Sequence, residues 1–466
     1  MKQIDKRKAI KSTIRGFRRF KKKIRRKNRT YSSVKVKKRR AEKKVKQKYL
    51  FSKSDKPKYA SNIDVFEYLA KKIDRFSPVY PYPAANGILS IPKIFSLAEE
   101  PEDSFYFLKC LFFNLKNPLT EDIFLNYENC IRIDLDASVL MDVILKEFIR
   151  KIEKERYHIN YSNKVKIKSI SALNLERENI KRFSYAIGAH KNIRNIDVTY
   201  PDIITFDLHT SSKGMGSGYK EIESTHLVDH INKCLAKLGK KLTQESKENF
   251  ADIFGEVIAN AEEHSSTDTR YSIGYYELCE TECNEHVGTF QFVIFNFGES
   301  FYEHLCNENA IKNKKIIDDM KNLSKRYTSR GLLGLLPGEI PEETLWTLYA
   351  LQDGVSCINQ ERGNGTIRFI ESFLELRGDN IGDTSKMVLL TGNTRILFDG
   401  VYSTKNKTGN DGENYKIITF NEASSIDEKP DDKYVTFAKN YFPGTIIYAN
   451  ITIKEENLKN NGNSIN

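Results

Sequence analysis

Apolar positions along residues 59–207 follow periods that change repeatedly from helical to extended. Spacings of three and four residues predict helices, and alternation of apolar and polar residues predicts strands. The two kinds of pattern alternate, which predicts a sheet with helices packed against it. In chain order, the predicted elements are the helix SNIDVFEYLAKKIDRF, the strand NCIRIDLDAS, the helix VLMDVILKEFIRKIEKERY, the strand VKIKSISALN, the helix ERENIKRFSYAIGAH and the strand DIITFDLHT.

A second alternation follows the glycine-rich stretch SSKGMGSGYK, which we interpret as a flexible link. Two amphipathic helices come first, then strands, a long helical stretch, one more helix and a final group of strands. These elements are the helices EIESTHLVDHINKCLAKLG and TQESKENFADIFGEVIANAEEHS, the strands RYSIGYYELCE and GTFQFVIFNFGES, the helical stretch that ends before residue 361, the helix opened by RGNGT, two strands around the Gly-Asn turn of SKMVLLTGNTRILFDG, and the strand YFPGTIIYANITI. The predicted fold class is α/β (α+β), with a smaller module at 59–207, a larger domain at 208–455 and a polar tail at 456–466.

The chain of 466 residues is long enough for two or three domains, and its charge is very unevenly distributed. Residues 1–60 contain 27 Lys or Arg and three acids, a net charge of +24; the whole chain carries +13, so the remaining 406 residues sum to −11. Such dense positive charge repels itself and cannot bury a core, so we predict that an arm at 1–58 is disordered by itself. Five apolar residues would form a stripe if the arm became helical on a partner: Ile10, Ile14, Phe17, Phe20 and Ile24.

Nucleic acid is the favoured partner of this basic arm, because each neutralised phosphate releases counterions. The arm contains no base-reading motif, so we expect binding to tolerate any sequence and to depend on salt. An anionic membrane surface is one alternative partner. A solubilising or protein-docking tail is the other alternative.

The remaining composition indicates a cytoplasmic protein without a transmembrane segment. The longest apolar run, FYFLKCLFFNL, is short and is interrupted by Lys109. The N-terminus has no apolar segment of signal-peptide type, and seven irregularly spaced cysteines suggest free thiols. His226 and His230 are four residues apart on a predicted helix, but no third metal ligand is visible, so we interpret them as part of a surface helix face.

A polar stripe on the second of the two helices is the first candidate for chemistry. The stretch EVIANAEEH puts Glu256, Asn260 and His264 four residues apart, which keeps the three side chains on one face. The exposed side of an amphipathic helix would give the same pattern, so the stripe alone does not identify a site. Three further motifs follow in order: Asn296-Phe297-Gly298 at a strand end, RGNGT at 362–366 before a helix, and Gly444-Thr445 in the last strand.

Together, the four motifs resemble those of the GHKL ATPase superfamily, which includes histidine kinases and gyrase-type topoisomerases. The resemblance covers residues 220–455 and implies a two-layer α/β sandwich that binds ATP and Mg²⁺. It also implies that Asn260 supplies an oxygen ligand to Mg²⁺, that Glu256 orients or deprotonates water, and that His264 lies near the phosphates.

The later motifs are expected, by the same resemblance, to hold the base and the phosphates. Asn296 stands where the family usually has an aspartate that accepts a hydrogen bond from the adenine amino group, and Gly298 would let the backbone approach the base. Thr445 matches a threonine that helps to hold adenine. Residues 303–361 would form a mobile lid. A helix start and a positive charge would bind the phosphates through Arg362, Gly363, Gly365 and Thr366.

The favoured function is a bacterial switch protein that binds ATP, hydrolyses it with Mg²⁺ and engages nucleic acid through the arm, in a regulatory or defence system. One alternative is a non-catalytic docking scaffold with a degenerate nucleotide pocket, which the neutral Asn296 keeps open. Another is a Ser/Thr protein kinase of the anti-sigma type. The order of elements at 59–207 resembles a STAS module, where a protein partner would dock, and we also consider a homodimer.

Overall fold

Helical and extended stretches alternate in the computed structural model in the order that the apolar periods predict. The structure describes residues 64–158, 168–188, 199–212, 217–237, 239–280, 286–306, 314–328, 340–352, 365–377, 385–408 and 414–454. The predicted arm at 1–58, Arg362, Gly363 and the tail at 456–466 lie outside these ranges. The described part is mixed α/β with parallel and antiparallel sheets, which confirms the predicted fold class at that level.

Helices and strands are numbered here in chain order. The helices are α1 (Val65–Lys72), α2 (Pro101–Lys116), α3 (Leu135–His158), α4 (Glu178–Ala186), α5 (Ser217–Lys237), α6 (Gln244–Glu263), α7 (Phe301–Cys306), α8 (Lys314–Thr328), α9 (Glu342–Ala350) and α10 (Gly365–Arg377). The strands are β1 (Ile88–Ser90), β2 (Ile94–Phe95), β3 (Asp122–Asn126), β4 (Arg132–Ile133), β5 (Ser169–Leu173), β6 (Ile203–Ser212), β7 (Ser265–Glu280), β8 (His286–Gly298), β9 (Lys386–Phe398), β10 (Lys405–Thr408), β11 (Asn414–Ile417) and β12 (Val435–Lys454). None of the helices in the described ranges combines the length and apolarity that a membrane crossing requires.

Strands β1 to β5, between residues 88 and 173, form short parallel sheets. Strand β3 lies between β1 and β5 in one sheet, and β2 pairs with β4 in another. Helix α1 begins at Val65 because the Asp64 carboxylate accepts hydrogen bonds from the backbone amides of Phe66 and Glu67. Each element predicted between 59 and 207 overlaps an observed helix or strand of the same type. The strand predicted at 129–138 is nevertheless mostly wrong, because it contains only β4 and gives way to α3 at Leu135. The patterns also missed α2 and the strands β1, β2 and β3.

A larger sheet has the strand order β6-β7-β8-β12-β9, and every neighbouring pair in it is antiparallel. Helices α5, α6 and α10 cover one face. Leu227 of α5, Ile258 of α6 and Ile370 of α10 belong to one apolar cluster with Phe292 of β8. This face places the polar stripe of α6 beside the sheet.

Helices α1, α2 and α3 cover the opposite face of the larger sheet. Phe295 and Phe297 of β8 belong to the cluster of α1, α2 and α3, whereas Phe292 and Ile294 belong to the cluster under α5, α6 and α10. Both faces are buried, which explains why apolar residues of β8 are directed to both faces of the sheet. The boundary predicted between residues 207 and 208 falls inside β6, so the two predicted segments share a sheet and a core.

The turn predicted at Gly392-Asn393 is wrong, because the chain continues there as the single strand β9. Gly392 has φ = +56° and pairs with Phe442 of β12 between two register shifts. A Cβ at Gly392 would lie 2.2 Å from Oε1 of Glu343, so the glycine allows a close approach to α9. The Gly392-Asn393 pair, which predicted a chain reversal, therefore marks an irregularity within a strand.

Helices α7, α8 and α9 fall within the long helical stretch predicted between β8 and α10. Leu305, Met320 and Trp346 of these helices belong to a small apolar cluster. The Trp346 ring packs edge-on against Tyr302 with centroids 5.5 Å apart, and its Nε1 donates to Ser324 Oγ at 3.2 Å. The three helices thus form a small group of their own after the end of β8.

Candidate functional site

Helix α6 carries the polar stripe towards its C-terminal end. Glu256 is exposed, whereas Asn260 and His264 are half-buried. The backbone amide of His264, just beyond the helix, donates to the Asn260 carbonyl at 3.0 Å. The stripe therefore passes from solvent into the protein over about two turns.

The buried end of the stripe lines a small pocket with a volume of about 30 Å³. Helix α6 forms one wall, strands β8 and β12 form the floor, and the start of α10 completes it. Five of the residues predicted from separate motifs line this pocket: Asn260, His264, Asn296, Thr366 and Thr445. Glu256 and Gly298 are not part of its wall as far as the structure describes it.

Asn296 and Thr445 lie directly opposite each other on the antiparallel strands β8 and β12. Asn296 is only 2% exposed, and its Nδ2 is buried without a hydrogen-bond partner among the described residues. An unsatisfied buried N–H costs about 1–3 kcal/mol, so an acceptor on a ligand would relieve a real penalty. The pocket floor therefore contains a hydrogen-bond donor, Asn296 Nδ2, that an acceptor on a ligand could satisfy.

Thr391 of β9 holds the Thr445 hydroxyl, and the sequence patterns did not single it out. The two Oγ1 atoms are 3.1 Å apart, and Thr391 Oγ1 donates to the Gly444 carbonyl at 2.9 Å. Since the Thr391 proton is used there, Thr445 donates to Thr391 and keeps its lone pairs as acceptors. Thr391 Oγ1 also accepts from the Phe301 amide at 3.2 Å, which ties α7 to the same group.

Gly298 allows a close approach within the protein, whereas its predicted approach to a base is untested. A Cβ at this position would lie 2.1 Å from the His264 carbonyl oxygen and 3.0 Å from the Ser266 amide nitrogen. The Gly298 carbonyl accepts a hydrogen bond from the buried Tyr68 hydroxyl at 2.7 Å. Gly298 therefore joins the end of β8 to the end of α6 and to α1.

The predicted phosphate motif is described only in its last part. Helix α10 begins at Gly365, and Thr366 in its first turn lines the pocket. The first amides of a helix have no intrahelical acceptor and form an anion site. Arg362 and Gly363 lie outside the described residues, so their predicted roles are untested.

His304 of α7 is a second residue that sequence patterns missed. Its ring meets the His264 ring edge-on with centroids 4.7 Å apart. Nδ1 of His304 lies 3.4 Å from the Glu299 carboxylate, whereas Nε2 is buried without a hydrogen-bond partner in the described ranges. A polar imidazole therefore connects α7 to His264 at the edge of the pocket.

A buried ion network supports the end of α6. Arg270 of β7 is 1% exposed, and its Nη1 donates to Glu223 at 2.5 Å. The other Glu223 oxygen accepts from Ser272 Oγ at 2.6 Å, and Arg270 Nε lies 3.5 Å from Glu262 of α6. An arginine in a largely apolar strand was the available sequence signal, but its partners on two helices were not predictable from spacing.

His230 corrects the prediction of a surface histidine face. It is 4% exposed and packs near the Phe206 and Phe290 rings at centroid distances of 5.5 and 5.8 Å, while His226 is exposed. Burial lowers the pKa of His230 to about 4, because the charged imidazole would lose its hydration. In the ranges that the structure covers, no group of three or more His, Cys, Asp or Glu residues is placed to hold a metal ion.

Comparison with known proteins gives no assignment for this chain. No protein-family model matches it, and no match was found among curated proteins or among solved structures. The candidate site therefore rests on its own geometry.

Proposed function

We propose that the pocket at the end of α6 binds ATP with Mg²⁺, in the manner of the GHKL ATPases that the sequence resembles. One observation carries this proposal. Five residues chosen from four separate motifs, between positions 260 and 445, line the same small pocket. Five polar residues without a common role would have no reason to converge in this way.

The groups in the pocket fit the parts of such a ligand. The Asn296 amide offers a donor and an acceptor, which match the ring nitrogen and the amino group on the adenine edge. The Thr445 oxygen is a further acceptor beside it. The Asn260 oxygen suits Mg²⁺, a hard cation, and the first amides of α10 suit a phosphate.

The pocket has to widen before it can hold a nucleotide. Its volume of about 30 Å³ is far below the roughly 300–1,000 Å³ of small-molecule sites. Phe301, the first residue of α7, lies in the pocket wall. We therefore propose that α7, α8 and α9, which lie almost entirely within the predicted lid at 303–361, move outward when ATP enters.

Lid movement is expected to change the emission of Trp346, the only tryptophan of the chain. Saturating Mg²⁺-ATP should shift its fluorescence to longer wavelength, because the buried ring becomes more exposed to water when α9 moves away from β9. The titration should give one saturable transition in wild type and none in Asn260→Ala. An emission spectrum that stays constant while calorimetry shows ATP binding would contradict lid movement.

Hydrolysis would depend on Glu256, which we propose as the residue that orients or deprotonates water. Glu256 is exposed and outside the described pocket wall, so the proposal requires it to meet the phosphates once the pocket has opened. The protein would then act as an ATP-driven switch, with the lid as its moving part.

Two substitutions on α6 separate binding from turnover. Asn260→Ala should weaken Mg²⁺-dependent ATP binding by about 100-fold, equivalent to about 2.7 kcal/mol, because it removes the Mg²⁺ ligand. Glu256→Gln should bind ATP normally and lose turnover. Isothermal titration calorimetry and phosphate release measure the two quantities.

Matched controls exist for both substitutions. Asn406→Ala removes an exposed amide on β10, and Glu248→Gln changes an exposed acid two turns before Glu256 on the same helix. Both should behave like wild type. Equal ATP affinity in wild type and Asn260→Ala would refute the site, and full turnover in Glu256→Gln would refute its catalytic role.

A non-catalytic docking scaffold is the second candidate function, and two observations favour it. The pocket volume is only about 30 Å³. Asn296 is uncharged, whereas the GHKL ATPases usually have an aspartate at the corresponding position. Under this alternative, wild type, Asn260→Ala and Glu256→Gln would be equally inactive towards ATP.

The basic arm is expected to supply nucleic-acid binding to either function. Deletion of residues 1–58 should abolish salt-sensitive retention of DNA and RNA, because it removes the whole +24 charge of this part of the chain. ATP affinity should not change. Filter binding over a salt series measures the effect. Undiminished retention after the deletion would show that the arm is not the nucleic-acid-binding segment.

A further inference from the structure

A second and much larger cavity lies on the opposite face of the five-stranded sheet. Its volume is about 350 Å³, within the range of small-molecule sites. Its floor is a row of four paired residues, one from each of four neighbouring strands. In order across the sheet, these are Lys386 of β9, Asn450 of β12, Gln291 of β8 and Tyr275 of β7.

Ion pairs form two of the cavity walls. On α4, Arg182 Nε donates to the Glu277 carboxylate at 2.7 Å. Near β4, Arg132 Nη2 lies 2.9 Å from Asp134 Oδ2, and Glu99 contacts both Arg132 and Lys386. The lining thus contains three cations and three carboxylates, and each cation already has an acidic partner. Arg182 has a second acidic partner, Asp202, which lies outside the lining.

This balance of charge restricts the net charge that a ligand of the cavity can carry. A ligand with a net charge would leave one charge uncompensated in a partly desolvated cavity, which is unfavourable. A zwitterion brings both signs. Its carboxylate can share the guanidinium N–H groups of Arg132 or Arg182, and its ammonium can donate to spare lone pairs of the acids beside them.

Asn450 and an aromatic pair add two further requirements. Asn450 Oδ1 is buried and accepts no hydrogen bond from the described residues, so a ligand N–H would satisfy it. The Phe183 and Tyr275 rings meet edge-on in the lining with centroids 6.1 Å apart, and they offer apolar surface to a side chain. The occupant needs an N–H donor, two opposite charges and an apolar part.

We propose that this cavity is a binding site for a zwitterionic small molecule of the amino-acid class. It is separate from the ATP pocket. The two sites are on opposite faces of the sheet, since Gln291 and Asn296 differ by five positions on β8 and their side chains alternate. The proposal does not depend on ATP binding.

The test measures thermal stability and calorimetric binding of the full chain with each proteinogenic amino acid. At least one amino acid with an apolar or aromatic side chain should raise the melting temperature. Its N-acetyl derivative lacks the ammonium charge, and its carboxamide lacks the carboxylate. Both derivatives should fail to bind, because the first is a net anion and the second a net cation, and either would leave one charge uncompensated in the cavity.

Two variants locate the binding. Asn450→Leu replaces an unsatisfied acceptor by an apolar group of similar size, so it should fold and bind the amino acid about tenfold more weakly or worse. Lys386→Met keeps the apolar stem, removes one cation and should also weaken binding, and it serves as the readout if Asn450→Leu fails to fold. Asn260→Ala in the ATP pocket is the control and should bind the amino acid like wild type.

Three results would overturn the proposal. The first is that no amino acid binds. The second is wild-type affinity in both Asn450→Leu and Lys386→Met. The third is that ATP or inorganic phosphate binds in an Asn450-dependent manner, which would assign the cavity to an anion. Loss of ATP binding in Asn260→Ala would not affect any of these outcomes, so the two proposals can fail separately.

Discussion

Replacing Gly298 by alanine is expected to lower the free energy of unfolding by about 3 kcal/mol or more, because the added atom has no space. The new Cβ would lie 2.1 Å from the His264 carbonyl oxygen, and neither backbone can yield without breaking the pairing of β7 with β8. The shift would also reach Tyr68, whose hydroxyl donates to the Gly298 carbonyl. Urea denaturation followed by circular dichroism measures the loss.

Gly255→Ala is the matched control for that substitution. Gly255 lies inside α6, and a Cβ there would meet no described atom within 4 Å. Alanine is the better helix former, so this variant should gain about 0.5–1 kcal/mol. A lower free energy of unfolding in Gly298→Ala and a higher one in Gly255→Ala would establish that the crowding is specific to Gly298. A Gly298→Ala protein as stable as wild type would contradict the packing described at the end of β8.

Replacing Arg270 by methionine is expected to cost about 3–5 kcal/mol, the loss typical of breaking a buried ion pair. Among the described residues, Glu223 would keep only its hydrogen bond from Ser272, and the charge on that carboxylate would remain buried. Glu262 of α6 would lose one of its cations, which should loosen the helix end that carries Asn260. ATP affinity should therefore fall together with stability, and calorimetry on the folded fraction measures it.

An exposed ion pair provides the control for the Arg270 experiment. Arg326 is 62% exposed and lies 3.5 Å from Asp427, so Arg326→Met should change stability by less than about 1 kcal/mol. Combining Arg270→Met with Glu223→Leu removes both buried charges and should recover most of the lost stability. A double variant no more stable than Arg270→Met alone would show that the pairing is not the cause.

The order of helices and strands was largely predictable from the sequence, because apolar periods report local structure. What spacing does not report is which strands become neighbours. Strand β12 lies between β8 and β9, so residues from the end of the chain complete a sheet begun by residues 203–298. The Gly-Asn signal at Gly392 failed for a related reason, since pairing with β12 keeps that strand continuous.

The candidate site could be predicted only through the four motifs that resemble the GHKL family. They selected Asn260, Asn296 and Thr445, and these three residues line one pocket. Their supports were not predictable, because Thr391 and His304 act through contacts that exist only after folding. The charged cavity around Arg182 was missed for the same reason, since its lining comes from both halves of the chain.

A crystal structure of the wild-type protein grown with Mg²⁺ and a non-hydrolysable ATP analogue would show directly whether this pocket binds the nucleotide. We expect adenine against Asn296 and Thr445, the metal at Asn260, the phosphates at the start of α10, and α7 displaced from the pocket. An analogue bound between α4 and the opposite face of the sheet, or a pocket still closed by Phe301 at saturating analogue, would refute the proposed ATP site.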